Sequence, residues 1–180
     1  MSPRPLTSAR KGAPKGSAKS VVIFVHGYGA NGADLLGLAD PLAPHMRDTA
    51  FYAPDAPENC QGNPMGFQWF PIPWLDGSSE EAALSGQAQA AEDLNAFIDA
   101  VLADEGIPSS ALALVGFSQG TMMSLHIAPR RAEPIAVLVG FSGRLLQPET
   151  LAAETKSKPP ILLIHGDADP MVPVASLPEA

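Results

Sequence analysis

The chain has 180 residues, is 46% hydrophobic and carries a net charge of −8. That length suits one domain with a sizeable core, and the acidic balance argues against a nucleic-acid partner. Its apolar runs all fall short of the ~18–20 residues that cross a membrane, so no stable membrane insertion is expected.

The charge is uneven. Residues 1–20 hold Arg4, Arg10, Lys11, Lys15 and Lys19 with no acid, whereas residues 21–180 hold 6 basic and 19 acidic side chains. The basic head is rich in Pro, Gly, Ser and Ala and lacks the apolar core of a secretory signal. It reads as a flexible arm, mostly disordered, leading into a domain over 21–180. A transit peptide would also be basic and acid-free, but no amphipathic helix is evident.

Val21 to Val25 is a β-branched run that ends at His26-Gly27 and predicts a buried strand. Leu35, Leu38 and Leu42 form a short helical stripe before Pro44. Thr49 to Ala53 predicts a second strand. Residues 54–78 read as a loop, with five prolines and the aromatics Phe67, Trp69, Phe70 and Trp74. Such a loop either lines a pocket or packs down on the body. Cys60 lies within it, reads as incidental, excludes an internal disulfide and fits a reducing, cytoplasmic setting.

Leu84, Ala88, Ala91, Leu94, Ile98 and Val101 recur at three- and four-residue spacing, with Glu92, Asp93 and Asp99 outside the stripe. This helix stops at Gly106 and Pro108. Further strands are predicted at 111–115, 135–139 and 161–164, with a helix over 121–128. Continuous apolar strands alternating with helices indicate an α/β fold, a mostly parallel sheet with helices on both faces. Sites in such sheets form at the carboxyl ends of strands.

Gly116-Phe117-Ser118-Gln119-Gly120 sits between the predicted strand and helix. Strand, sharp turn and helix are the context in which G-x-S-x-G is a nucleophile elbow. The glycines keep Cβ atoms out of a crowded turn. A serine hydroxyl is a weak nucleophile, so it requires a base, a group that orients the base, and N–H donors for the oxyanion. His26-Gly27-Tyr28 and Asp169 also follow strand ends, which brings them toward Ser118.

HGYGANG from His26, GFSQG around Ser118 and HGDADPMVP from His165, in this order, resemble the phospholipase/carboxylesterase family, which includes acyl-protein thioesterases. Trp69-Phe70 matches an aromatic pair of that family. The resemblance covers residues 21–180 and implies an α/β-hydrolase fold. It implies a serine hydrolase that cleaves carboxylic esters or thioesters through an acyl-serine intermediate. Ser118 is then the nucleophile and Asp169 the triad acid. The backbone N–H groups of Tyr28 and Gln119 form the oxyanion hole, Trp69 and Phe70 contribute to the substrate pocket, and His26 is structural. Esterases, thioesterases and lysophospholipases share this machinery and differ in pocket shape. A dienelactone-hydrolase-like identity is disfavoured, because that relative uses cysteine where Ser118 stands.

The family pattern places the catalytic histidine after the acid, beyond a further strand. No histidine follows His165, so the chain reads as ending before that strand, the base and the last helices. A second expectation is therefore a catalytically dead hydrolase fold with a binding role. No metal-binding spacing, phosphate loop or dinucleotide fingerprint is present, so neither a metal nor another cofactor is expected. Asp167 reads as a turn residue. The expected partner is a small ester or thioester, and a homodimer is compatible with the family.

Overall fold

Alternating burial along one strand organises the molecule. In the computed structural model, which describes residues 2–180, Val21, Ile23 and Val25 face one hydrophobic cluster and Val22 and Phe24 the other. A strand buried on both faces needs apolar residues at every position, which the run Val21 to Val25 supplies.

In chain order the elements are β1 (Ser8–Gly12), β2 (Ser20–Val25), α1 (Gly32–Leu36), α2 (Ala39–Leu42) and β3 (Thr49–Pro54). There follow β4 (Glu58–Cys60), β5 (Asn63–Gln68), α3 (Pro73–Asp76), α4 (Glu80–Glu105) and β6 (Leu112–Phe117). The chain continues through α5 (Gln119–Ile127), β7 (Val137–Phe141), α6 (Pro148–Glu154), β8 (Ile161–Ile164) and α7 (Ser176–Glu179). The main sheet has the order β1-β3-β2-β6-β7-β8. Strands β3, β2, β6, β7 and β8 run parallel, and β1 is antiparallel to β3. The expected mostly parallel α/β sheet is thus present, with an antiparallel strand at its edge. Among the described residues no helix is long and apolar enough to cross a membrane.

The long helix α4 is capped at both ends. Ser79 Oγ accepts the Ala82 N–H at 3.1 Å, and Gly106 adopts a left-handed φ of 67°. Its apolar stripe buries Leu94, Ile98 and Val101, whereas Leu84 lies exposed.

The basic head departs from the expected disordered arm. Residues 8–12 form β1, in register from Ser8 opposite Pro54 to Gly12 opposite Ala50. The physical reason is charge complementarity that composition alone does not reveal. Arg4 pairs with Asp93, Arg10 with Glu105, Lys11 with Asp40, Lys15 with Asp104 and Lys19 with Asp48. The lysine pairs are exposed and screened by solvent, so they contribute little. The two arginines reach carboxylates with no solvent exposure and are the firmer anchors.

Asp93 is accordingly buried, although its spacing put it outside the apolar stripe. Its Oδ1 accepts the Arg4 N–H at 2.6 Å and Gln89 Nε2 at 2.9 Å, and its Oδ2 accepts Arg4 Nε at 2.9 Å. Glu105 likewise accepts Arg10 and the Tyr52 hydroxyl. The Arg10 guanidinium holds the Glu105 carboxyl below its ordinary range, and burial pushes the Tyr52 hydroxyl up to about 12.

The segment 54–78 is also more ordered than the expected loop. It contains the β4–β5 hairpin and α3. Pro64 and Gly66 obscure a strand pattern in the sequence, yet each suits an edge or a close backbone approach. A Cβ on Gly66 would overlap the Gly29 carbonyl, so glycine lets β5 dock on the turn after β2.

Replacing Arg4 with alanine leaves the buried Asp93 without its Nε donor and its ion-pair partner, while the main-chain N–H of residue 4 and Gln89 still donate. Chemical denaturation is expected to show a loss of about 2 kcal/mol, against no measurable loss for Lys19→Ala. Equal stability of Arg4→Ala and the unmodified chain contradicts the anchoring role of the head.

Candidate active site

Ser118 joins β6 to α5 with φ 53° and ψ −117°, in a region that serine rarely occupies. Such strain costs on the order of 1–3 kcal/mol and persists only where neighbours enforce it. The Ser118 N–H donates to the Phe141 carbonyl at 2.8 Å, and the Ser118 carbonyl accepts from Met122 N. A Cβ at Gly116 would lie 2.6 Å from Thr121 N, and one at Gly120 would overlap the Val25 carbonyl. Both glycines therefore let α5 press against the sheet. Thr121 Oγ1 adds two bonds to the Phe141 main chain, at 2.8 and 3.0 Å.

Gln119 begins α5, where a backbone N–H has no intrahelical acceptor. Its side chain reaches sideways. Oε1 accepts the Trp69 N–H and Nε2 donates to the Phe70 carbonyl, both at 2.8 Å. Sequence reasoning selected Gln119 for its main chain and missed this bracket; burial of a polar side chain inside the elbow is seen only in three dimensions.

The Tyr28 turn is held by the hairpin. The Gly29 N–H donates to the Phe67 carbonyl at 2.8 Å, and the Phe67 N–H donates to the Ala30 carbonyl at 2.7 Å. Beneath it His26 is fully buried. Nε2 accepts the Ala56 N–H at 2.9 Å, which puts the ring proton on Nδ1, where it donates to the Gly27 carbonyl at 2.7 Å. Burial holds the His26 pKa below the ordinary imidazole value. Both ring nitrogens are thus occupied in supporting the loop.

Trp69 differs from expectation. It is fully buried, does not line the cavity, and donates Nε1–H to the His26 carbonyl at 2.9 Å. An indole nitrogen buried in a core takes a main-chain acceptor, and here that acceptor lies behind the site. Phe70, the next residue, does line the cavity.

Asp169 follows β8. Oδ1 accepts the N–H groups of Met171 and Val172, each at 2.9 Å. Those two amides hold its carboxyl below the ordinary range, with smaller contributions from the Ser142 hydroxyl and His165. His165 Nε2 donates to the Val172 carbonyl at 2.9 Å and lies 3.6 Å from Asp169 Oδ2. Asp167 is exposed.

One cavity of about 1030 Å³ brings Tyr28, Phe70, Ser118, Gln119 and Asp169 together. None of the four histidines lines it. His126 sits near the end of α5, within 3.3 Å of Gln87 Nε2, and its pKa is lowered first by burial and then by Arg130. His45 follows α2 on another surface. Among the described residues no group of three or more His, Cys, Asp or Glu is arranged to hold a metal ion.

A strained serine between strand and helix, on a mostly parallel sheet with helices on both faces, defines an α/β-hydrolase fold. The chain belongs to the phospholipase/carboxylesterase family, whose model matches residues 8–179. It is similar in structure to the esterase PE8, with a TM-score of 0.91 and 43% identity over 98% of this chain and 81% of that one. A phospholipase/carboxylesterase from Dyadobacter fermentans has a TM-score of 0.77 and 25% identity, covering 99% and 81% of the two chains. Acyl-protein thioesterase 2 from Zea mays has a TM-score of 0.71 and 26% identity, covering 96% and 81%.

Two outcomes test the geometry. Gly120→Ala is expected to destabilise the chain by about 3 kcal/mol or more in urea titration, since its Cβ meets backbone that cannot yield. Gly37→Ala, in helical geometry with its nearest contact at 3.4 Å, serves as the near-neutral comparison. Separately, His26 and His126 take up protons at lower pH when folded than when unfolded. Stability is then expected to fall as pH drops below about 6.5, because the unfolded chain binds more protons there. Urea midpoints from pH 7.5 to 5 measure this, and His126→Gln is expected to flatten the slope.

Proposed function

We propose that the chain is a serine hydrolase of carboxylic esters or thioesters of modest acyl length. The observation that carries this is the shared cavity, where the elbow serine, a helix-start N–H and a low-pKa carboxylate meet amid apolar walls. Ser118 Oγ attacks the substrate carbonyl while the base takes its proton. The N–H groups of Tyr28 and Gln119 receive the oxyanion. Collapse expels the alcohol or thiol with the proton returned by the base, and water then attacks the acyl-serine. Asp169 is the acid that orients the base; none of the four histidines lines the cavity among the described residues. Gln119 and the hairpin keep the two oxyanion donors fixed through their hold on Phe70 and the Tyr28 turn. Phe70 contributes to the acyl wall.

A second reading, a hydrolase fold that binds ligands without turnover, is favoured by one observation: no histidine lines the cavity among the described residues. Hydrolysis of p-nitrophenyl butyrate by the protein separates the two. Ser118→Ala is expected to lower the rate at least about 10³-fold and Asp169→Asn to lower it comparably. Rates unchanged in Ser118→Ala sink the role of Ser118, and no hydrolysis above background sinks the hydrolase reading and leaves the binding one.

A further inference from the structure

The cavity around Ser118 is walled by apolar side chains, among them Phe70, Leu84, Phe117, Met122 and Met171. Arg144 is its one cation among the described residues, against the acids Glu80, Asp167 and Asp169. Arg4, Arg10, Arg130 and Arg131 each pair with a carboxylate. Arg144 forms no ion pair with those three acids, with Glu179, which lines a smaller pocket beside it, or with any other described residue.

The backbone that carries Arg144 is fixed. Two non-glycine residues with left-handed φ bracket it, Ser142 at 50° and Gln147 at 48°. The Ser142 N–H donates to the Ile164 carbonyl at 3.0 Å. Gly143 lies so close to α5 that a Cβ there would come within 2.5 Å of Thr121 Cβ, and Leu146 is buried. Arg144, itself exposed, is therefore carried on a fixed backbone at the lining of the cavity that holds Ser118. Guanidinium binds carboxylate through two parallel N–H donors. Three acids against one cation leave the cavity lining net negative, which disfavours a dianion such as phosphate more than a monoanion.

We propose that Arg144 is a specificity residue that receives a free carboxylate carried on the substrate's own apolar chain. The preferred substrate is then an ester or thioester that also bears a carboxylate, such as a half-ester of a dicarboxylic acid. This rests on the reading of the cavity as the ester site, and its test uses binding so that turnover is not needed.

Octanoate and octanamide share chain and shape and differ in charge. Trp74 lines the cavity and is 64% exposed, whereas Trp69 is buried, so tryptophan fluorescence reports ligand entry and Trp74→Phe checks the source of the signal. Octanoate is expected to bind the unmodified protein at least about fivefold more tightly than octanamide at low salt, the preference shrinking as salt is added. Arg144→Ala is expected to abolish the preference while leaving octanamide affinity unchanged, and Arg144→Lys to keep part of it. Octanoate that binds no tighter than octanamide, a preference that survives in Arg144→Ala, or binding by neither probe overturns the proposal. Loss of Ser118-dependent hydrolysis alone bears on the hydrolase reading and not on this one.

Discussion

The approach of Gly120 to the Val25 carbonyl is the contact on which the site depends. It joins the start of α5 to the end of β2 with no side chain between them. Only with the helix pressed this far into the sheet does Ser118 occupy φ 53° at the strand end. The strain is of order 1–3 kcal/mol, small beside the burial of α5, whose Met123, Leu125 and Ile127 lie in the core. Packing energy thus exceeds local strain, and the serine is held in an unfavourable conformation by residues that do not react.

A second layer of hydrogen bonds ties the remaining parts to that contact. Gln119 grips Trp69 and Phe70, Trp69 donates to the His26 carbonyl, and His26 takes the Ala56 N–H. Each bond is buried, so removing one partner exposes the other to the full cost of desolvation, about 1–3 kcal/mol. The arrangement links β2, β5 and α5 around the cavity. Asp169 reaches the same cavity from the loop after β8, held there by the Met171 and Val172 amides.

The sequence made the core strands legible because their apolar residues are contiguous and end in glycine-containing turns. The elbow was legible for the same reason, since Gly116 and Gly120 are required by backbone approaches that any similar turn would impose. The head was not legible. Arg4, Arg10 and the three lysines look like a solvated tail until Asp93 and Glu105, some ninety residues away, are brought beside them. Nor was the β4–β5 hairpin, where Pro64 and Gly66 break the strand pattern for reasons set by the neighbouring turn. Trp69 and Phe70 were indistinguishable as adjacent aromatics; both are buried in the bend that follows β5, and only Phe70 also lines the cavity.

On the proposed reading, the elbow and the two N–H donors are assembled before any substrate arrives. A crystal structure of the protein phosphonylated on Ser118 by an alkyl fluorophosphonate is the decisive experiment. A phosphoryl oxygen is expected about 2.7–3.1 Å from both Tyr28 N and Gln119 N, with Ser118 still at positive φ and the Gly120–Val25 approach unchanged. An adduct oxygen turned to solvent, a rebuilt Tyr28 turn, or failure of Ser118 to accept the reagent would contradict it.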